Sequence, residues 1–209
     1  MEERREVLVL GLGNVLWADD GFGVRAVEAL NAAYVFPAGV TLMDGGTQGL
    51  SLYGRVTSSR RVLVLDAIDF GLPPGTLRVL RDAEVPAWAA TKLSPHQVGL
   101  HDVLALAQLN GSAPESVAVV GVQPVDLSDF GGSLREAVRA RLPQAVEQAA
   151  RELAAWGYPG TRRPGGGPVP ELNASALTLA AYEGGRPSEG QACRVGDLRV
   201  LVRMQGRGR

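Results

Sequence analysis

Apolar and polar positions along this chain alternate between short β-branched runs and longer stretches of helical period. That pattern predicts a parallel sheet covered by helices on both faces. Val7 to Leu10 reads as the first strand, and a Gly-rich turn leads from it into a helix from Gly23 to Tyr34, with Val24, Val27 and Leu30 on one stripe. A second strand, Val40 to Met43, ends at Asp44-Gly45-Gly46. A short helix around Gly49 to Val56 precedes a third strand, Arg61 to Leu65, which ends at Asp66. "PPGT" turns the chain into Leu77 to Leu80, an antiparallel edge strand, before a loop through "KLSPHQ". Leu100, Val103, Leu104 and Ala107 share one stripe, so a helix begins directly after His96. Val117 to Val122 is a further buried strand, and Ser133 to Trp156 reads as one long amphipathic helix. The predicted architecture is a three-layer αβα sandwich with a mostly parallel twisted sheet.

After Trp156 the pattern stops. "GYPGTRRPGGGPVPEL" reads as a Gly/Pro-rich linker without regular structure, and Ala176 to Tyr182 and Leu198 to Val202 each read as a short strand. One hairpin has no core of its own. The expectation is a folded domain over residues 1–156 and a mobile extension over 157–209.

Composition narrows the function classes. With 209 residues, 45% of them hydrophobic, the chain can bury one good core. A formal net charge of −1 and a pI near 6.1 provide no basic field for nucleic acid. Cys193, the single cysteine, permits neither an internal disulfide nor a thiolate metal cluster, which points to a reducing cytoplasm. No apolar run reaches the ~20 residues of a membrane span. A monomer is expected.

The first turn, "GLGNVL", begins like a dinucleotide-binding loop but carries Leu16 where close helix packing wants a small residue. Asp19 and Asp20 would also repel a pyrophosphate. No nucleotide cofactor is therefore expected. The chain also lacks a G-x-S-x-G elbow, an H-E-x-x-H helix and a phosphate-binding G-x-x-x-x-G-K-[ST] loop. What remains lies at the carboxyl ends of the predicted strands, where open parallel sheets place their ligands. Asp20, Asp44, Asp66 and His96 all arrive there, and carboxylates with an imidazole suit zinc or nickel and metal-assisted hydrolysis. Each also has a plainer reading: Asp19 or Asp20 as a helix cap, Asp44 as a turn former, His96 as a packing or capping residue. Asp66, ending the apolar run "VLVLD", is harder to explain that way. His101 falls on the partly exposed side of its helix.

Taken together, "GLGNVLWADDGFGVR", "MDGGTQGLSLYG", "LVLDAID", "KLSPHQVGLHDVL" and "VAVVGVQP" resemble the hydrogenase maturation proteases, in particular the members serving membrane-bound uptake hydrogenases. The resemblance covers residues 7 to about 156. It implies an endopeptidase that removes a C-terminal peptide from the precursor of a nickel–iron hydrogenase large subunit after nickel insertion. It also implies metal-interacting roles for Asp20, Asp66 and His96, and a role in cleavage or recognition for Asp44. The nickel would be supplied by the precursor rather than held by the enzyme. Where the family usually has Glu, this chain has Asp20, one methylene shorter. A nickel-checking binding module that holds the precursor without cutting it is the alternative.

Overall fold

The computed structural model describes residues 5–85, 98–164 and 169–186. Strands β1 (Arg5–Leu12), β3 (Val40–Gly46), β4 (Ser59–Ala67), β5 (Leu77–Arg81) and β6 (Ser116–Val122) form a sheet in the order β3-β1-β4-β6-β5. All neighbours are parallel except β5, which runs antiparallel to β6 at one edge. The mostly parallel sandwich expected from the periodicity is present.

Alternation along the strands sends successive side chains to opposite faces. Val7, Val9, Leu63, Leu65, Val120 and Val122 face α1 (Phe22–Ala33) and the helix over Leu142–Ala155, meeting Phe22, Val27, Leu30 and Leu153. Leu8, Leu10, Val62, Val64 and Val119 face the other way, against Val56 of α2 (Tyr53–Thr57) and Leu100 and Val103 of α3 (Val98–Leu109). Buried on both faces, the central strands read as continuous apolar runs for this reason.

Three elements differ from the sequence expectation. The helix predicted over Ser133 to Trp156 is broken into α4 (Glu136–Arg139) and α5 (Leu142–Ala155). Pro143 has no N–H to donate and its ring would strike the carbonyl four residues back, so it sits in the first turn of a new helix. The supposed linker contains β7 (Thr161–Arg162), which pairs antiparallel with β2 (Tyr34–Val35), and the Arg162 guanidinium lies 4.6 Å from the centre of the Tyr34 ring. Ala176 to Tyr182 is helical rather than extended: a 3-10 turn at Ser175–Leu177 leads into α6 (Leu179–Gly185), whose Thr178 hydroxyl accepts the Ala181 N–H at 3.4 Å. An alanine-rich segment behind an N-capping threonine favours helix over strand. The strand predicted over Leu198 to Val202 lies outside the described residues.

The compact unit that contains the sheet runs on past Trp156 to Ala174, and residues from Ser175 form a second unit. Arg163 holds the start of this continuation by donating to the carbonyls of Asn31 and Tyr34, while the Asn31 side chain donates to the Pro170 carbonyl at 2.6 Å. Leu172 packs against the α1 side of the core.

Candidate active site

The turn after β1 is built by backbone constraints. Gly13 has a φ of +118°, and a Cβ there would lie 1.7 Å from the Asp20 carbonyl oxygen. Only glycine lets the loop fold back this closely. The Asn14 N–H donates to Asp20 Oδ2 at 2.8 Å, and the Asn14 side chain accepts the Leu16 N–H at 3.0 Å. A 3-10 turn, Ala18–Gly21, then carries both aspartates into α1.

Asp19 and Asp20 have different surroundings. Asp19 is fully buried, and its carboxylate accepts backbone N–H groups from Val125, Asp126 and Arg135 at 2.8, 3.0 and 2.7 Å. It ties the loop after β6 to the loop after β1. Asp20 is 2% exposed, and the turn that carries it packs against β4. The Asp19 side chain is not a cap of α1, because its bonds go to the loop after β6.

Asp66 lies near the end of β4, opposite Gly121 of β6, and is 1% exposed. The approach of α1 to this strand is close: a Cβ on Gly23 would fall 2.1 Å from the Leu65 carbonyl oxygen. Asp20 and Asp66 are thus buried carboxylates on elements in mutual contact.

Asp44 takes the opposite face. It pairs in register with Gly11, which pairs in turn with Leu65, so Asp44 shares the α1 side with Val9 and Leu65 while Asp66, one position further, points to the α3 side. Arg25 and Glu28 of α1 and Asn173 surround it. Burial pushes its carboxyl above the usual range, opposed by hydrogen bonding from the Asn173 side chain and the Gly46 N–H. Its Oδ1 is buried without a hydrogen bond of standard geometry among the described residues.

His96 lies outside the described residues, as does the "KLSPHQ" loop. Among the described residues no group of three or more His, Cys, Asp or Glu side chains is placed to hold a metal ion. The His101 side chain is 44% exposed, as its helical phase predicted, and lies 3.7 Å from Asp102.

Sequence reasoning missed the residues that hold the strand ends together. Gln123, next after β6, accepts the Phe70 and Leu72 N–H groups and donates to Asp69, which fixes the loop that follows Asp66. Arg135 donates to Asp126 and Asp129 at 2.8 and 2.9 Å. A buried polar residue at the end of "VAVVGVQ" is a signal for the first; nothing local marks the second.

Comparison with known proteins bears on this arrangement. The sequence model of the hydrogenase maturation protease family matches residues 24–152. The chain belongs to that family. It is 49% identical over 209 residues to the hydrogenase expression/formation protein HupD of Thiocapsa roseopersicina, covering 99% of this chain and 95% of the relative. Against the hydrogenase 2 maturation protease of Escherichia coli (strain K12) it is 43% identical over 148 residues, covering 70% of this chain and 90% of the relative. The solved structure of the hydrogenase maturating endopeptidase HybD from E. coli matches with a TM-score of 0.72 at 40% identity, covering 76% of this chain and 98% of that one. As a maturation protease the chain is a hydrolase that cuts peptide bonds.

Proposed function

We propose that this maturation protease removes a C-terminal peptide from the precursor of a nickel–iron hydrogenase large subunit, and does so only after the precursor has received its nickel. In this reading Asp20, Asp66 and His96 meet the nickel that the precursor carries, and Asp44 is the catalytic carboxylate. The observation that supports it most is the burial of Asp20 and Asp66, at 2% and 1% exposure, on contacting elements at the carboxyl edge of the sheet. Two carboxylates and an imidazole make an incomplete ligand set, which binds a free ion weakly but completes the coordination of one already held by thiolates.

Nickel presented in this way supplies Lewis-acid polarisation of the scissile carbonyl. The chain's own contribution is geometric. The Asn14 N–H holds the Asp20 carboxylate, and the Gln123 network holds the loop after Asp66, so both acids sit on rigid supports. Asp44, on the α1 side of the same edge, has a raised pKa that suits a group exchanging a proton with the leaving or attacking atom.

Intact-mass measurement of nickel-loaded and nickel-free precursor, each mixed with the protein, tests this reading. The expected result is loss of one defined C-terminal peptide from the loaded form alone, abolished by His96→Ala. Normal processing by His96→Ala would remove His96 from the site. An unchanged mass with a stable complex would favour the binding module, and Asp20→Glu would then show whether the shorter acid is responsible.

A further inference from the structure

Two loops at the carboxyl edge of the sheet, one after β1 and one after β6, are fastened to each other. Besides the three N–H groups that the Asp19 carboxylate accepts, the Asp19 N–H donates to the Asp126 carbonyl at 3.2 Å and the Gly131 N–H to the Leu16 carbonyl at 2.7 Å. Trp17 and Phe130 pair across an isolated antiparallel bridge, their ring centroids 5.3 Å apart and their planes at 62°, an edge-to-face contact. Ala18, next after Trp17, is held at a φ of +38°, a left-handed conformation that a residue with a Cβ adopts only where its surroundings impose it.

This fixed support presents apolar side chains to solvent. Phe130 is 62% exposed, and Leu16 and Val125, on the same two loops, are 40% and 50% exposed. One exposed apolar residue is ordinary, but an aromatic pair with aliphatic neighbours on two fastened loops has the composition and rigidity of an interface anchor. The charged residues of the β6 loop are engaged with one another, since Arg135 pairs with Asp126 and Asp129 at 2.8 and 2.9 Å. Such a surface selects apolar groups rather than an ion.

The patch continues into the candidate site. The Asp20 N–H donates to the Trp17 carbonyl at 2.9 Å, so Asp20 lies one 3-10 turn beyond the aromatic pair. The substrate of a maturation protease is itself a protein, and one whose nickel meets Asp20 lays its adjoining surface over these loops. We propose that Trp17 and Phe130, flanked by Leu16 and Val125, form the docking surface for an apolar segment of the hydrogenase large-subunit precursor. The proposal rests on the reading of the Asp20 edge as the processing site. The acids meet the metal, and the aromatic pair supplies affinity for the chain that carries it.

Single-turnover cleavage tests this, with the full-length protein in excess over nickel-loaded precursor. Phe130→Ala is expected to raise the half-saturating enzyme concentration about tenfold and to leave the rate at saturation unchanged, as loss of uniform binding does. Phe130→Leu, apolar but not aromatic, recovers part of the affinity. Were Phe130 there only to brace the β1 loop, its loss would displace Asp20 and lower the rate at saturation instead; that result, or an unchanged half-saturation, overturns the docking role. Sedimentation velocity is expected to be the same for wild type and Phe130→Asp. A wild-type dimer that Phe130→Asp turns into a monomer would assign the patch to a second copy of this chain and overturn the proposal. The nickel reading fails separately: equal cleavage of nickel-free and nickel-loaded precursor by wild type would remove the nickel requirement while the Phe130 comparison still decides the patch. Normal cleavage by Asp20→Asn would take the site away from this edge, and this inference with it.

Discussion

The Asp19 carboxylate carries three backbone N–H groups from a loop more than a hundred residues away in the chain, where each bond has a sequence separation of 106 to 116. Removing the acceptor strands those donors in a buried place, and unsatisfied buried groups cost far more than a hydrogen bond gains. Asp19→Ala is therefore expected to lower stability by about 3 kcal/mol, read from chemical denaturation. Beyond this anchor, the Arg135 guanidinium and the Ser128 N–H and hydroxyl hold the Asp126 carboxyl down to about 2 from an ordinary 3.8. A lowered folded-state pKa contributes stability that is present above the unfolded value and lost as the pH falls through the folded one. The melting-temperature gap between wild type and Asp126→Asn should therefore be open at neutral pH and close between pH 3.8 and about 2. The sequence does not show the first role, because Asp19 bonds to groups more than a hundred residues away, whereas the partners of Asp126, Ser128 and Arg135, lie two and nine residues on.

At the scale of elements, the junction of β1, β4 and α1 depends on glycines that let backbone touch backbone. A Cβ on Gly23 would meet the Leu65 and Leu12 carbonyl oxygens at 2.1 and 2.3 Å, neither of which can move without shifting a central strand. Gly23→Ala is expected to cost more than about 3 kcal/mol, seen as a lower thermal midpoint by circular dichroism. Periodicity identified these elements correctly because each buries a regular face. It joined α4 and α5 into one helix because the apolar stripe continues across Pro143 while the hydrogen-bond ladder does not. It missed β7 because a two-residue strand that pairs with β2 has no periodicity to read.

At the scale of the whole unit, residues after α5 fold back on the core through Arg163, whose side chain spans the carbonyls of Asn31 and Tyr34. Arg163→Ala should loosen this attachment locally. Hydrogen exchange is expected to rise about tenfold at Tyr34 and Val35, while the amides of β1 and β4 keep their protection. No described helix is long and apolar enough to cross a membrane. The Gly/Pro-rich composition of this stretch hides its attachment, since the bonds that make it use single side chains and carbonyls of α1 and β2 rather than an apolar pattern.

The order of strands and helices was determined by the sequence itself, because a strand buried on both faces and a helix buried on one leave apolar runs and stripes that can be counted. The arrival of Asp20, Asp44 and Asp66 at the carboxyl ends of strands was legible for the same reason: strand limits locate them. Tertiary structure alone decided which face each acid takes, because the register between β3, β1 and β4 puts Asp44 toward α1 and Asp66 toward α3. It alone separated Asp19, spent on distant N–H groups, from Asp20 beside it. Only the folded chain brings Asn173 to Glu28 of α1, since their approach depends on a path around that helix that no local pattern encodes.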